Sequence, residues 1–171
     1  MGIIVCGLNG SGKSTLAKAL AQRINYHLID IEDIYFPRKN DYGNARSKKE
    51  VEKLLLEEMQ RNPNFILAAV TGDYGDETIK LYEKAIFIDV CKSERMKRIE
   101  QRSYLKFGTR MLEGGDLYAH EKTFFDIVEA RDEQMVKDWL TNLSCDVLSI
   151  DGTLPIEQNV DWLLEVLNLQ V

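Results

Sequence analysis

The chain has 171 residues, 44% of them hydrophobic, which suffices for one sizeable core of ordinary single-domain size and gives no reason for a second domain. A formal net charge of −6 argues against a basic surface that coats nucleic acid, so the expected partners are small molecules and not nucleic acid. Three cysteines (Cys6, Cys91 and Cys145) fit neither an even disulfide set nor a metal-ligand spacing and read as reduced, mostly buried thiols, while no window approaches the roughly 20 apolar residues of a membrane helix.

The first predicted element is Ile3-Ile4-Val5-Cys6, a short apolar run bounded by glycines, as a strand buried on both faces requires. It does not read as a signal peptide, and a cytoplasmic location is expected. Gly7 to Ser14 (GLNGSGKS) then satisfies G-x-x-x-x-G-K-[ST] at each fixed position, and Leu16, Ala19, Leu20 and Arg23 follow at helical spacing. Between a strand and a helix, such glycines let the backbone turn tightly and aim N–H groups at phosphates. The candidate nucleotide-binding set is therefore Gly7, Leu8, Asn9, Gly10, Ser11, Gly12, Lys13, Ser14 and Thr15. Lys13 is the residue to reach the β- and γ-phosphates of ATP, and the Ser14 hydroxyl the one to bind Mg²⁺.

Tyr26 to Ile29 predicts a second strand, ending in the acidic cluster Asp30, Glu32 and Asp33. Residues 35–46 carry Pro37 and Gly43 and read as loop, and Ser47 with Glu50 forms the S-x-x-E signature that starts a helix ending at Asn62-Pro63. Phe65 to Val70 and Ala85 to Val90 predict two more buried strands, the second followed by a helix from about Ser93 to Arg102. Residues 103–118, with Gly108, Gly114 and Gly115, lack apolar periodicity and suggest an ordered but mobile loop of the kind that makes a lid. A long helix over about 121–143, a fifth strand at Asp146 to Ile150, the turn Asp151-Gly152-Thr153 and a last helix complete the chain. Alternating strands and helices require parallel pairing with right-handed crossovers, and so a sheet covered by helices on both faces.

Phosphoryl transfer needs one carboxylate to hold a metal's waters and another to orient or deprotonate an acceptor hydroxyl. Asp30, Glu32 and Asp33 stand at the carboxyl end of a strand, where ligands bind in open α/β sheets. Among them, Asp30 and Glu32 are the candidates for the metal, through water, and Asp30 and Asp33 for the acceptor. Arg98 and Arg102 share a helix face, and Lys106 and Arg110 follow on the lid. Arg102 and Arg110 are the better placed to clamp a phosphoryl group; Arg98 and Lys106 read equally as members of a salt-bridged surface. Ile86-Phe87-Ile88-Asp89 has the form of a Walker B strand, and Thr71-Gly72-Asp73 ends the third strand, so either Asp89 or Asp73 can face the magnesium. His27 and His120 have no partners at metal or triad spacing and read as structural.

Taken in order, the phosphate loop, acidic turn, R-x-x-x-R helix, lid and Asp151-Gly152-Thr153 turn resemble the small P-loop kinases of the nucleoside monophosphate kinase-like superfamily, which includes adenylate, shikimate and gluconate kinases. The resemblance implies one P-loop kinase-like domain over residues 1–171. Its fold would be an α/β, three-layer α/β/α sandwich on a five-stranded parallel sheet of order 2-3-1-4-5. An acceptor-binding region would occupy about 34–62, a lid about 103–118, and Asp151, Gly152 and Thr153 would lie beside the adenine, with Arg102 also on the nucleotide. Asp30-Ile31-Glu32-Asp33 looks like the D-x-D stretch with which shikimate kinases hold magnesium water and the acceptor hydroxyl. The G-[FY]-P-R segment of adenylate kinases is replaced by Val70-Thr71-Gly72-Asp73-Tyr74-Gly75, without an arginine. Arg38 and Arg46, with Asp33, Gly72 and Asp73, are the remaining candidates for holding the acceptor. The expectation is ATP- and Mg²⁺-dependent phosphoryl transfer to a hydroxyl-bearing small molecule, by a monomer or homodimer without membrane association. The alternatives are a nucleoside monophosphate kinase and a non-kinase P-loop ATPase or switch.

Overall fold

The computed structural model describes residues 1–37 and 44–169. Five strands, β1 (Gly2–Cys6), β2 (His27–Asp30), β3 (Phe65–Ala69), β4 (Lys84–Asp89) and β5 (Asp146–Asp151), pair in parallel in the order β2-β3-β1-β4-β5. Val5 in the central strand is in register with Ala68 on one side and Ile86 on the other. The helices among the described residues are α1 (Lys13–Ile24), α2 (Ile31–Tyr35), α3 (Lys48–Arg61), α4 (Asp76–Ile79), α5 (Lys92–Phe107), α6 (Tyr118–Glu129), α7 (Gln134–Thr141) and α8 (Ile156–Val166). The expected three-layer α/β/α sandwich and its strand order are present.

Side chains alternate across a strand, and β1 uses both faces. Ile3 and Val5 pack with Leu16 and Leu20 of α1 and Val160 and Leu163 of α8. Ile4 and Cys6 pack with Val51 and Leu55 of α3 and Val136 and Leu140 of α7. Fully burying each such aliphatic side chain contributes about 1.5–3 kcal/mol, which is why the strand is a continuous apolar run rather than an alternating one.

The element boundaries depart from the sequence expectation in four places. The acidic turn is helical: the Asp30 carboxylate accepts from the Glu32 N–H at 3.0 Å and caps α2. Residues 103–107, expected in the lid, continue α5, because Ser103 still packs inward and the stop comes only at Gly108, with φ 59°. Residues 108–111 then form a 3₁₀ turn. The single helix expected over 121–143 is two, α6 and α7. Asp132 accepts from the Gln134 N–H at 2.9 Å, a local side-chain bond that restarts the helix after a break at 130–133. Of the cysteines, Cys6 is buried and Cys145 half-buried, but Cys91 is exposed at the start of α5, against the Ser93 hydroxyl. Among the described residues no helix is long and apolar enough to cross a membrane.

The start of α3 carries the capping box read from sequence. Ser47 Oγ accepts from the Glu50 N–H at 3.3 Å, and Glu50 accepts from the Ser47 N–H at 3.0 Å. Removing the cap as Ser47→Ala is expected to cost about 1 kcal/mol, or roughly 2–4 °C in melting temperature for a domain of this size. The Ser47 contacts hold Glu50 below its ordinary pKa. Its share of the stability is therefore complete above the ordinary carboxylate range and is lost as pH falls through the lowered value. Calorimetry at neutral and acid pH checks both statements: the gap between variant and parent should narrow in acid without closing, since the bond from the Glu50 N–H to Ser47 Oγ does not titrate.

Candidate active site

The loop between β1 and α1 takes its shape from backbone that L side chains rarely adopt: Gly10 has φ 82° and Gly12 φ 100°. A Cβ at Gly10 would stand 2.4 Å from the Arg95 carbonyl oxygen, so α5 approaches the loop too closely for any other residue. A Cβ at Gly12 would meet nothing within 4 Å; that side of the loop is open. Ser11 Oγ is buried without a hydrogen-bond partner, and Ser14 and Thr15 are exposed in the first turn of α1. Unpaired donors, an open face and the positive end of a 12-residue helix together suit an anion. The loop therefore fits a nucleotide phosphate.

Lys13 is half-buried, and removal from water lowers its pKa. Glu32 and then Asp30 oppose that shift, while Arg102 and Arg131 add to it. The structure thus brings Lys13, Asp30, Glu32 and Arg102 to one place, as the sequence reading grouped them, and adds Arg131. That residue stands in the break between α6 and α7, and its guanidinium donates to the Asn9 side-chain oxygen at 2.5 Å.

Two more arginines fasten the loop. Arg95 is 4% exposed and donates to the carbonyls of Val90 (3.1 Å) and Asn9 (3.3 Å). Arg98 spans from the Ser11 carbonyl (3.5 Å) to that of Gly152 (3.1 Å) and pairs with Glu94 at 3.1 Å. It ties the phosphate loop to the Asp151-Gly152-Thr153 turn. In that turn the Asp151 carboxylate accepts from both the Thr153 N–H and hydroxyl, which holds its pKa low. A Cβ at Gly152 would meet Ile88 and Val90 methyls at 2.4 Å and the Ser11 oxygen at 3.0 Å. Between this turn and the loop lies a cavity of about 320 Å³, bounded by Ser11, Thr15, Arg98, Ile150 and Pro155.

A second cavity, of about 600 Å³, opens on the other side of the loop, bounded by Asn9, Glu32, Arg102, Phe107, Glu121 and Phe124 among others. Both volumes lie in the range of small-molecule sites.

Other predicted residues fall elsewhere. Arg110 is not brought to the phosphate loop: it is locked in a two-pronged pair with Asp116 (2.9 and 2.6 Å), both exposed. The turn at Gly114, with φ 89°, folds Asp116 back onto it. Asp33 is exposed on α2 and is not among the described residues lining the second cavity. Arg46 is spent on the Ile34 carbonyl at 2.5 Å. Gly72 has a packing reason, since a Cβ would stand 2.7 Å from the Tyr82 hydroxyl. Asp73 pairs with Lys48 at 3.7 Å. Asp89 is exposed at the end of β4, and its backbone carbonyl accepts from the Gly152 N–H at 2.9 Å. Arg38, also a candidate, lies outside the described residues. His27 pairs with Glu58 at 2.7 Å and His120 with Glu121 at 3.1 Å.

Sequence reasoning undervalued Arg98 and missed Arg95, Arg131 and Glu121. Arg95 had a signal: it shares the inward stripe of α5 with Ile99 and Ser103, four residues apart. Arg131 had only Asp132 beside it, a residue that favours helix breaks.

A family model described as AAA domain matches residues 3–114, well over half of the chain. The chain belongs to this AAA domain family. The uncharacterized protein YqaC of Bacillus subtilis (strain 168) is 28% identical over 174 residues, covering 97% of this chain and 97% of its own. A cytidylate kinase of Bacillus thuringiensis (strain Al Hakam) is 27% identical over 129 residues, which span 69% of this chain and 57% of that protein. Among solved structures, deoxyadenosine kinase from M. mycoides with bound dATP superposes with a TM-score of 0.62 over 98% of this chain and 100% of that one, at 14% identity. The fold is that of the small P-loop kinases resembled in sequence.

Proposed function

We propose that the protein is an ATP-dependent kinase that transfers a phosphoryl group to the hydroxyl of a small molecule. One observation carries the reading: Glu32, whose charge acts on Lys13, also bounds a second cavity of about 600 Å³. A nucleotide switch needs room only for water beside the γ-phosphate, whereas a kinase needs a seat for the acceptor. Lys13, Arg102 and Arg131 supply positive charge where the transferring group gains negative charge. The cavity between Arg98 and Pro155 is suited to the adenosine, and the Asp151-Gly152-Thr153 turn to its edge.

Among the described residues no three His, Cys, Asp or Glu side chains converge on a metal position. That suits Mg²⁺, which arrives on nucleotide phosphates, keeps waters and takes one or two protein oxygens. Ser14 and, through water, Asp30 are the oxygens we assign to it. Bound there, Mg²⁺ would neutralise phosphate charge.

The cytidylate kinase relatives favour a second reading, with a nucleoside monophosphate as acceptor. A panel of hydroxyl compounds and nucleoside monophosphates with ATP·Mg²⁺, scored for acceptor-dependent ADP release, tests both. At least one hydroxyl acceptor should raise turnover above hydrolysis. Stimulation by monophosphates alone would select the second reading, and stimulation by none would leave an ATPase.

A further inference from the structure

The second cavity changes character along its length. Arg102, Ser103 and Phe107 of α5 form one wall, and Glu121, Phe124 and Ile127 of α6, spaced by three, form the facing stripe. Arg131 reaches the phosphate loop just beyond the end of α6, so Ile127 stands toward the loop. Glu121 is six residues earlier, about 9 Å farther out by helix rise. The near end is therefore Glu32, Asn9 and Arg102, and the far end is aromatic, with the buried Glu121 carboxylate and with Lys106, which lies over the Phe107 ring, and His120 also on its lining.

That carboxylate is unusual. Glu121 is 3% exposed, while its partner His120 is exposed on the rim. A carboxylate withdrawn from water requires N–H donors or positive charge, and it offers about four lone-pair directions, of which the imidazole uses one. A ligand anion set directly against Glu121 would meet like charge in a poorly solvated place, although Lys106 lines the same end. A flat ring would meet Phe107 and Phe124, and an amino or ring N–H would complete Glu121.

We propose that this cavity seats the phosphoryl acceptor and that the acceptor is a nucleoside: its hydroxyl at Glu32, its base against Phe107 and Phe124, and a base N–H donating to Glu121. The assignment rests on the kinase reading above. In the reaction the acceptor oxygen bonds to the γ-phosphorus and the bond from that phosphorus to the β–γ bridging oxygen breaks. The electron pair leaves with ADP, and the hydroxyl proton passes to the Glu32 carboxylate.

Titration calorimetry on the full chain, first with a non-hydrolysable ATP analogue and Mg²⁺, then with adenosine, cytidine, their 5′-monophosphates, shikimate and gluconate, tests it. At least one nucleoside should bind about tenfold tighter than its monophosphate and than either acid, and Glu121→Gln should weaken that binding about tenfold. Ile127→Trp, a change at an exposed position that fills the cavity, should block it as well. Preference for monophosphates or acids, no binding by any nucleoside, or undiminished nucleoside binding in both variants overturns the assignment. Unchanged analogue affinity marks each variant as folded, and if Glu121→Gln loses it, Ile127→Trp decides. Absent analogue binding in the parent chain would instead sink the kinase reading, and nucleoside binding would then still be read by itself.

Discussion

Replacing Lys13 with alanine is expected to lower acceptor-dependent turnover by about 10²–10³-fold, the loss that follows removal of one preorganised donor to a reacting group. Melting temperature should move by less than about 2 °C, within the roughly ±0.5 kcal/mol of a change that breaks no core contact. The separation follows from the surroundings of the ammonium. Burial disfavours its charged form, Arg102 and Arg131 repel it, and Glu32 and Asp30 only offset these effects. The lysine is held for a ligand, not for the fold. The same lowering has a pH consequence. The folded chain releases the Lys13 proton earlier than the unfolded one, so stability gains slightly between the lowered value and the ordinary lysine value. Nucleotide affinity moves the other way, because the neutral amine no longer attracts phosphate. Calorimetric ATP affinity should therefore fall as pH rises through that window in the parent chain and stay flat in Lys13→Ala. Full turnover in a folded Lys13→Ala protein would remove Lys13 from the mechanism.

What could be read from sequence was whatever depends on local pattern. Ile3 to Cys6, the glycines after it and Leu16 to Arg23 each announce strand, turn and helix by spacing, and both β1 and α1 sit where that spacing puts them. The Ser47–Glu50 cap is equally local. The misreadings arise where a distant contact decides. Nothing in residues 121–143 alone says that Arg131 leaves the helix to meet Asn9, 122 positions away in sequence. Arg110 reads from sequence as a cation for the phosphates because it lies in a glycine-rich segment, and in the structure it is paired with Asp116, six residues on. The second cavity lies between two helices that meet only in the fold, so its buried carboxylate at Glu121 was invisible as a site. Composition pointed to small-molecule ligands, and it took the facing helices to suggest which chemistry such a ligand carries.

Arg95 provides the sharpest separation between holding the loop and holding the fold. Its guanidinium is buried against the carbonyls of Val90 and Asn9, while its own backbone fills the space that only Gly10 leaves open. Arg95→Ala removes the long side chain and both bonds, and is expected to cost about 2–4 kcal/mol from the void and the stranded carbonyls. At roughly 2–4 °C per kcal/mol, the melting temperature should fall by about 5–15 °C. Arg95→Met refills most of the volume but leaves the same two carbonyls without a donor, so it should recover only the part of that loss that comes from the void. Neither variant restores the bond to Asn9, whose side chain also receives Arg131 and whose neighbours shape the phosphate cradle. ATP affinity should therefore drop about tenfold in both variants, a change of about 1.4 kcal/mol, even though alanine melts well before methionine. Calorimetric melting and ATP titration on the two proteins give the four values needed. Parent-like ATP affinity in Arg95→Met would mean that the loop keeps its shape without the guanidinium, and that the glycine backbone, not α5, presents its N–H groups to the phosphates.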